Sequence, residues 1–368
     1  MKSYLYDYVV VGAGFAGSVF AREAADKGKK VLVIDRRPHV AGNVYTERKH
    51  GIDVHKYGPH IFHTKNERVW RWINQQGRFN NYRHVGKVKH QDTVYSFPIN
   101  LMTLQQVFRV TTPAEALAQL SHSRVPCLDP QTLEEWALAS VGEELYRIFI
   151  EGYTTKQWGT SPKNLPKSII QRIPVRLTFD DNYFHNTERY QGIPEDGYTA
   201  LFEKMLEGIE VRLGVDFLKD RAELCALAPS IIYTGPVDEL LDYKYGKLGY
   251  RSLRFEEEEM EGDFQGCSIM NYGEESIPFT RIVEHKHFQM KENPHTIITR
   301  EYPIPYTEGE TPYYPLADKE NLERYDLYDK EAKSLGFFLI GRLATYKYLD
   351  MDMVIGQALV FADRILTG

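Results

Sequence analysis

The sequence has few cysteines, no long apolar run and no excess of positive charge, and each absence excludes a class of protein. Its three cysteines, Cys127, Cys225 and Cys267, are too few and too scattered for a disulfide framework or a cysteine-rich zinc site. No stretch of roughly 18 apolar residues occurs, so no membrane span is predicted and a cytoplasmic location is the default expectation. With 45 basic and 51 acidic side chains, the net charge of −6 argues against nucleic acid or an anionic membrane as the main partner.

Aromatic residues are abundant instead. The 25 Tyr, 18 Phe and 4 Trp make up 13% of the 368 residues. Tyrosine, the commonest of them, combines a flat face with a hydroxyl group. This composition is compatible with a well-filled core and with a site that grips rings and sugars, and composition alone does not choose between them. At about 150 residues per domain, the length predicts two or three domains.

The first 35 residues have the order strand, glycine turn, helix, strand. The apolar run Tyr6–Val11 leads into the turn Gly12–Gly17 (Gly-Ala-Gly-Phe-Ala-Gly), and the strand after the helix ends at Asp35. Glycines allow a tight turn and a close approach of the backbone to a pyrophosphate, and the helix N-terminus adds free N–H groups and a positive dipole end. Asp35 is placed to accept hydrogen bonds from an adenosine ribose. The segment therefore predicts a dinucleotide site.

Two further features favour FAD over NAD as the dinucleotide. After Asp35 the chain continues through the basic Arg36 to a small turn at Ala41-Gly42, an arrangement typical of flavoproteins of the glutathione-reductase type, although glycine is usual at Ala41. Near the C-terminus, Gly341-Arg342 precedes a helix from about Met353 to Leu366, which Asp350 or Asp352 can cap. This second element faces phosphate as an extended FAD requires.

The remaining segments predict an α/β protein whose nucleotide-binding domain is discontinuous. Capping boxes at Thr112 and Thr132 begin helices, and a third helical segment runs to about Gly152. Antiparallel strands are predicted at Thr93–Phe97, Ser268–Tyr272, Arg281–Phe288 and Thr296–Tyr302, and a strand at Phe337–Ile340 returns to the first domain. The expected division is a Rossmann-like FAD-binding domain (1–78, 190–242 and 317–368), a helical domain (100–168) and an antiparallel sheet domain (79–99, 169–189 and 243–316).

Histidine pairs at His60-x-x-His63 and His285-x-His287 could suggest a metal. No third ligand of suitable chemistry stands beside either pair, so no metal site is predicted.

Several longer motifs resemble the prokaryotic UDP-galactopyranose mutase family, and the resemblance runs nearly end to end. The motifs are Gly12–Gly17, His55–Thr64 (His-Lys-Tyr-Gly-Pro-His-Ile-Phe-His-Thr), Tyr153–Gly159, Arg172–Arg176, Tyr233–Pro236, Pro278–Arg281, Pro312–Pro315 and Gly341–Met351. Their length and unusual composition make them far more specific together than the glycine turn alone.

The resemblance implies an isomerase that interconverts the six- and five-membered ring forms of galactose on UDP and supplies furanose sugars for cell-surface glycans. It further implies reduced FAD as the covalent catalyst, with N5 attacking the anomeric carbon, NAD(P)H or another reductant as partner, and a homodimer. The alternatives are a flavin oxidoreductase of the amine-oxidase type, a nucleotide-binding protein without catalysis, and a mutase for another nucleotide sugar. That sugar could be N-acetylgalactosamine, arabinose or a thymidine-linked deoxysugar.

The same resemblance assigns site residues. Arg172 and Arg281 are the expected catalytic and substrate-binding arginines, because a guanidinium fork clamps pyrophosphate oxygens. The remaining substrate residues are Tyr153, Trp158, Tyr183, Asn271, Tyr314, Tyr348 and His84, where His84 falls at a position that is asparagine in some relatives. The choice between Tyr313 and Tyr314 stays open. Trp158 belongs to the family's mobile loop, which carries Arg172 inward. The expected cofactor residues are Gly12, Gly14, Phe15, Ala16, Gly17, Asp35, Arg36, Gly42, Asn43, His60, Ile61, His63, Arg342, Leu349, Asp350 and Met351.

Overall fold

The computed structural model describes residues 4–170, 175–184 and 187–366. Its strands are β1 Tyr8–Val11, β2 Val31–Asp35, β3 Thr46–Lys49, β4 Ile52–His55, β5 Phe62–Thr64, β6 Gly86–His90, β7 Thr93–Phe97, β8 Tyr190–Gly192, β9 Glu210–Leu213, β10 Ser230–Tyr233, β11 Tyr250–Glu261, β12 Ile269–Tyr272, β13 Arg281–Glu284, β14 His295–Pro305, β15 Tyr314–Pro315 and β16 Phe337–Leu339.

Its α-helices are α1 Phe15–Asp26, α2 Glu67–Gln76, α3 Leu101–Phe108, α4 Pro113–Ser123, α5 Leu133–Val141, α6 Glu143–Tyr146, α7 Gly152–Trp158, α8 Gly197–Met205, α9 Arg221–Cys225, α10 Val237–Leu240, α11 Lys319–Ser334 and α12 Met351–Leu366. Within the described ranges, no helix has both the length and the apolar character needed to cross a bilayer.

A parallel sheet collects strands from three distant parts of the chain. Its strand order is β16-β10-β1-β2-β9, and every neighbouring pair runs parallel. The two faces of this sheet belong to different apolar clusters: Val9 and Leu32 pack with Tyr328, whereas Val10 and Val33 pack with Phe20. Burial on both faces explains why these strands are continuous apolar runs, as in doubly wound folds. The Rossmann-like fold expected from the glycine turn is confirmed.

A second, mixed sheet has the strand order β15-β11-β14-β13-β12-β6-β7. Most of its pairs are antiparallel as predicted, but β12 and β6 run parallel. Strand β6 comes from the first third of the chain and adds to the open edge of β12, so no hairpin turn dictates its direction. The predicted strand Arg281–Phe288 ends at Glu284, and His285–Phe288 form a 3₁₀ turn in which the Lys286 ammonium bonds the carbonyls of Gly262 and Asn293.

The helical segment carries both predicted capping boxes, with Thr112 and Glu115 at the start of α4 and Thr132 and Glu135 at the start of α5. The third segment does not end near Gly152, as the sequence analysis expected. It passes through a π-helical turn at Arg147–Glu151 and continues as α7 to Trp158. Gly152 does not end the helix, and glycine is required there because a Cβ would overlap the Gly273 carbonyl oxygen.

Candidate active site

One large cavity, with a volume of about 1110 Å³, lies at the carboxyl ends of β1, β2 and β10 and extends to the mixed sheet and α7. Ligand pockets usually measure about 300–1,000 Å³, so this cavity has room for more than one ligand. Its position at the carboxyl ends of parallel strands is where doubly wound folds bind ligands. We name two parts of its lining. The glycine wall is formed by Gly12, Gly14, Phe15, Ala16, Gly42, Asn43, Gly341 and Arg342, and the aromatic wall by Tyr153, Trp158, Tyr183, Asn271, Arg281, Tyr314 and Tyr348.

The cavity brings together most of the residues that the sequence analysis assigned to substrate and cofactor. Those that line it are Gly12, Gly14, Phe15, Ala16, Asp35, Arg36, Gly42, Asn43, His60, Ile61, His63, His84, Tyr153, Trp158, Tyr183, Asn271, Arg281, Tyr314, Arg342, Tyr348, Leu349, Asp350 and Met351. Gly17 is buried behind the turn, where a Cβ would overlap the carbonyl oxygen of Gly12, so it packs helix against turn as a third glycine does. Arg172 lies outside the described residues.

The glycine wall brings bare backbone to the cavity. Gly12 has a φ of +109°, and a Cβ there would overlap the Thr234 hydroxyl. Gly14 and Gly42 meet backbone to backbone, with a Cβ on Gly42 only 3.1 Å from the Gly14 Cα. In the described chain no side chain caps the N-terminus of α1. Its first-turn N–H groups are therefore available to a phosphate.

Asp35 first holds the glycine turn in place. Its Oδ2 accepts a hydrogen bond from the Ala13 amide at 2.8 Å, and its Oδ1 accepts one from the Arg37 amide at 2.9 Å. A carboxylate has about four lone-pair sites, so acceptor capacity remains for a ribose hydroxyl. Ala41 adopts a φ of +73°, in the left-handed region, which explains why glycine is the usual residue there.

Arg342 is a partly buried cation that lines the cavity and leaves a negative charge to be supplied. Its guanidinium donates to the carbonyl oxygens of Pro312 and Tyr313, and burial lowers its pKa. No carboxylate in the described parts of the chain forms an ion pair with it. A buried charge is costly without an opposite charge, and a dinucleotide pyrophosphate would provide one. Together with the glycine turn and the uncapped α1, this arginine fits an FAD-sized dinucleotide.

Arg281 is the charged centre of the aromatic wall. It lies opposite Asn271 on one side and opposite Glu301 on the other side of its strand. Its Nε donates to Glu301 Oε2 at 2.6 Å. Although burial disfavours its charge, the Glu301 carboxylate raises the pKa of Arg281 above its ordinary value. The Nε bond orients the guanidinium and leaves its other N–H groups for a ligand.

The aromatic side chains around Arg281 form a continuous surface. The Tyr314 and Tyr348 rings stack with centroids 5.9 Å apart, and the Trp158 ring lies 6.4 Å from Tyr314. Tyr313 also borders the cavity, but its ring packs edge-on against Phe255. Tyr314 is therefore the member of the pair that joins the cluster of rings beside Arg281.

Two histidines of the cavity, His84 and His60, are held in the neutral form. Burial, followed by the nearby Arg281 charge, lowers the pKa of His84 to about 3. His84 Nδ1 lies 3.3 Å from the Tyr82 hydroxyl, which also bonds the Ser268 hydroxyl. Burial likewise lowers the pKa of His60 to about 4. These rings can exchange hydrogen bonds with a ligand but carry no charge at neutral pH.

The histidine pairs considered for metal binding separate in the structure. His60 Nδ1 donates to the Gly58 carbonyl, whereas His63 Nδ1 lies 3.5 Å from Glu188. His285 bonds the Thr299 hydroxyl. His287 does approach Glu284 and Asp263, but the Lys286 ammonium lies 3.0 Å from the same Asp263 carboxylate and provides a cation there already.

Two important residues were missed in the sequence analysis. Glu301 is 1% exposed and forms an ion pair with Arg281. The signal for this residue in the sequence was an acidic side chain inside the predicted strand Thr296–Tyr302. Lys156 lies within the motif Tyr153–Gly159 but was not singled out. Its ammonium donates to four backbone carbonyl oxygens next to the aromatic wall. No local sequence pattern predicts such a contact.

The fold and the cavity define a class: a Rossmann-type dinucleotide-binding protein with a second, arginine-centred ligand wall. Consistent with this, a family model described as an NAD(P)-binding Rossmann-like domain matches residues 10–75. A second model, described as UDP-galactopyranose mutase, matches residues 148–348, which is more than half of the chain. The chain belongs to the UDP-galactopyranose mutase family.

Individual relatives agree. The chain is 44% identical to a probable UDP-galactopyranose mutase of Klebsiella pneumoniae, covering 98% of this chain and 94% of the relative. It is 40% identical to a dTDP-fucopyranose mutase of Escherichia coli, covering 95% and 96%. A crystal structure of reduced UDP-galactopyranose mutase matches the fold with a TM-score of 0.76 at 14% identity, over 98% of this chain and 96% of that one. The family resemblance, and with it the expectation of an isomerase, is confirmed.

Proposed function

We propose that the protein interconverts the pyranose and furanose forms of galactose carried on UDP, with reduced FAD bound along the glycine wall. The observation that carries this proposal is the shared cavity, which is lined both by Arg342, without a carboxylate partner in the described parts of the chain, and by the ion-paired Arg281. One arginine suits the cofactor pyrophosphate and the other suits the pyrophosphate of a nucleotide sugar. The name of the Klebsiella relative supports galactose on UDP.

The chain's own residues hold the two ligands and the leaving group. Arg281 binds the UDP pyrophosphate, stabilises its charge when the bond to the sugar breaks and keeps it close for return, because its guanidinium stays protonated and oriented by Glu301. Trp158, Tyr314 and Tyr348 pack on the nucleotide and exclude water. Arg172 is proposed to add a second clamp. The chemistry that bound, reduced FAD supplies is a nucleophilic N5 for the anomeric carbon.

A second candidate substrate is a thymidine-linked deoxysugar. The 40% identity to a dTDP-fucopyranose mutase extends over nearly the whole chain and is close to the 44% to the Klebsiella relative. Both candidates present the same pyrophosphate to Arg281 and differ in the base methyl group, in the 2′-hydroxyl of the nucleoside and in the 6-hydroxyl of the hexose. Sugar preference therefore depends on small polar contacts in the cavity, among which neutral His84 is our candidate.

The test is to incubate the FAD-loaded protein with UDP-galactofuranose or dTDP-fucofuranose, with and without dithionite, and to separate the products. Conversion that requires reduction, without net consumption of the reductant, supports a mutase, and the better substrate identifies the sugar. Net reduction of oxidised flavin by the sugar would instead support an oxidoreductase. Binding of UDP without conversion under any condition would indicate a nucleotide-binding protein without catalysis and would contradict the proposal.

We also propose a cytoplasmic homodimer that is reduced by NAD(P)H, on the strength of the family resemblance. Sedimentation of the purified protein tests the dimer, and a monomer would contradict it. Anaerobic addition of NADPH or NADH tests the reductant, because flavin reduction bleaches its visible absorbance.

A further inference from the structure

Lys156 occupies an unusual environment at the junction of two elements of the aromatic wall. Its ammonium lies 2.8 Å from the carbonyl oxygens of Tyr272 and Glu274, 3.0 Å from that of Ile277 and 2.9 Å from that of Phe279. An ammonium has only three N–H donors, so the four carbonyls share them. In the described ranges no carboxylate forms an ion pair with this lysine, and carbonyl dipoles surround it as they surround a bound monovalent cation.

The four carbonyls belong to the loop that joins two ligand-facing residues. Asn271 immediately precedes the first of these carbonyls, and Arg281 follows the last by two residues. Lys156 itself belongs to α7, which also carries Tyr153 and Trp158. The Lys156 side chain thus connects α7, which carries Tyr153 and Trp158, with the loop between Asn271 and Arg281.

The start of α7 and the π-helical turn before it lie close to this loop at Gly273. A Cβ on Gly152 would overlap the Gly273 carbonyl oxygen, and a Cβ on Gly273 would lie 2.5 Å from the Ile148 carbonyl oxygen. Within the loop, the Tyr272 amide bonds the Thr280 carbonyl at 2.9 Å, the Ile277 amide bonds the Glu274 carbonyl at 3.3 Å, and the Tyr272 and Phe279 rings pack edge-on at 4.8 Å. The lysine adds contacts to four further carbonyl oxygens and ties the loop to α7.

We propose that Lys156 is a positioning residue that sets the distance between the α7 side chains and Arg281 by binding the 272–279 loop through its carbonyl oxygens. This inference rests on the proposed function for its catalytic consequence, but its structural content concerns the loop alone. Without the ammonium, the loop carbonyls turn to water, and Arg281 and Asn271 lose their fixed relation to Tyr153 and Trp158.

The experiment replaces Lys156 in the FAD-loaded full chain by alanine, which removes the part of the side chain that propylammonium can restore. We expect the KM for UDP-galactofuranose and the Kd for UDP to rise, and kcat/KM to fall about 10- to 100-fold, because small misplacements of binding groups are costly. Added propylammonium should recover much of the loss in a saturable manner, whereas tetramethylammonium, which has no N–H donor, should not. Lys333→Ala, which alters an exposed lysine of α11 outside the cavity lining, is the matched control.

Two further measurements keep the inference testable. Lys156→Met preserves the apolar stem without the charge, so it replaces the alanine variant if that variant does not fold. Amide hydrogen exchange in peptides covering residues 272–280 should accelerate in both variants and slow again with propylammonium in the alanine variant, whatever reaction the protein catalyses. Unchanged exchange with unchanged UDP affinity, or a defect that propylammonium does not reverse, would overturn the role of Lys156. A wild-type protein that does not convert UDP-galactofuranose would overturn the proposed function instead.

Discussion

The glycine wall and the aromatic wall present different kinds of atoms to the same cavity. The glycine wall offers backbone amides at the start of α1 and a turn in which glycine backbones touch. The aromatic wall offers side chains from α7, from three strands and from two connecting segments, centred on an arginine held by a buried carboxylate. A substitution replaces a side chain and leaves the backbone amides in place, so the backbone contacts of the glycine wall can change little. The side chains of the aromatic wall can be substituted one at a time. A ligand of the glycine wall and a ligand of the aromatic wall therefore differ in how readily single substitutions change their contacts.

The largest effect is expected on the aromatic wall, from Arg281→Ala. The substitution removes the proposed pyrophosphate clamp and leaves Glu301 buried without its partner. Truncating one member of a buried, hydrogen-bonded charge pair costs about 2–5 kcal/mol, so we expect kcat/KM to fall on the order of 1000-fold. FAD should stay bound, because the glycine wall is unchanged.

Steady-state kinetics and the flavin spectrum of the purified variant check this prediction. Arg281→Lys keeps a charge without the guanidinium fork, and we expect it to recover only part of the activity. Loss of flavin from Arg281→Ala would place this arginine on the cofactor side and remove the distinction between the walls.

The glycine wall is tested by a matched pair of substitutions, Gly17→Ala and Gly14→Ala. A Cβ on Gly17 overlaps a backbone carbonyl that cannot move away, so the clash should outweigh the roughly 1 kcal/mol that alanine gains over glycine inside a helix. Overpacking typically costs about 1–3 kcal/mol, and we expect the upper end for the free energy of unfolding. A Cβ on Gly14 meets only the Gly42 Cα at 3.9 Å, and its φ of −85° suits any residue.

Gly14→Ala should therefore fold as well as the wild type and yet bind FAD about tenfold more weakly or worse, since its methyl group enters the space of the pyrophosphate. Thermal unfolding of the apoproteins and flavin titration separate the two effects. If Gly14→Ala bound FAD normally, the backbone of this turn would not be the cofactor contact.

The same contrast explains which features can be read from sequence. The turn Gly12–Gly17 and the strand ending at Asp35 can be predicted from local sequence. About 25 consecutive residues contain the glycines that the tight turn requires, the helix that follows and the strand that ends at Asp35. Even the departure at Ala41 is interpretable, since its positive φ marks a glycine position. The capping boxes at Thr112 and Thr132 are local in the same sense, and both formed.

The features that were missed depend on register and on distant segments. Glu301 becomes the partner of Arg281 only because β13 and β14 pair with these residues directly opposite, and a shift by one residue would move every side chain to the other face. The carbonyl oxygens that bind Lys156 lie more than 100 residues away from it in the sequence. The parallel pairing of β12 with β6 also depends on an edge that no turn defines. Family motifs identified the aromatic wall, but its internal support came only from the structure.

A smaller effect is expected from Trp158→Ala, which tests how well the aromatic wall tolerates the loss of one ring. Stacking a base on an aromatic side chain is worth about 1–3 kcal/mol, so UDP affinity should fall about tenfold or more. The measurement is titration of the reduced protein with UDP. Trp70→Ala serves as the control, because Trp70 stacks on Tyr190 away from the cavity lining. An unchanged UDP affinity in Trp158→Ala would remove this ring from the substrate contacts.

The smallest effect concerns His84 and the pH dependence of the aromatic wall. Burial lowers the pKa of His84 to about 3, so the ring is neutral at every pH well above that value and would gain a proton only in strong acid. The pH profile of kcat/KM should consequently show no limb from this histidine between about pH 5 and 8, where an unperturbed imidazole titrates.

His84→Asn replaces one neutral hydrogen-bonding group by another. It should change kcat/KM only about two- to fivefold, a range that corresponds to the loss of one modest hydrogen bond, while the shape of the profile stays the same. Profiles measured with UDP-galactofuranose for both proteins decide this. An acid limb near pH 6 in the wild type that disappears in His84→Asn would mean that the ring is charged during turnover. The aromatic wall would then differ from the glycine wall in its response to protons as well as in its atoms.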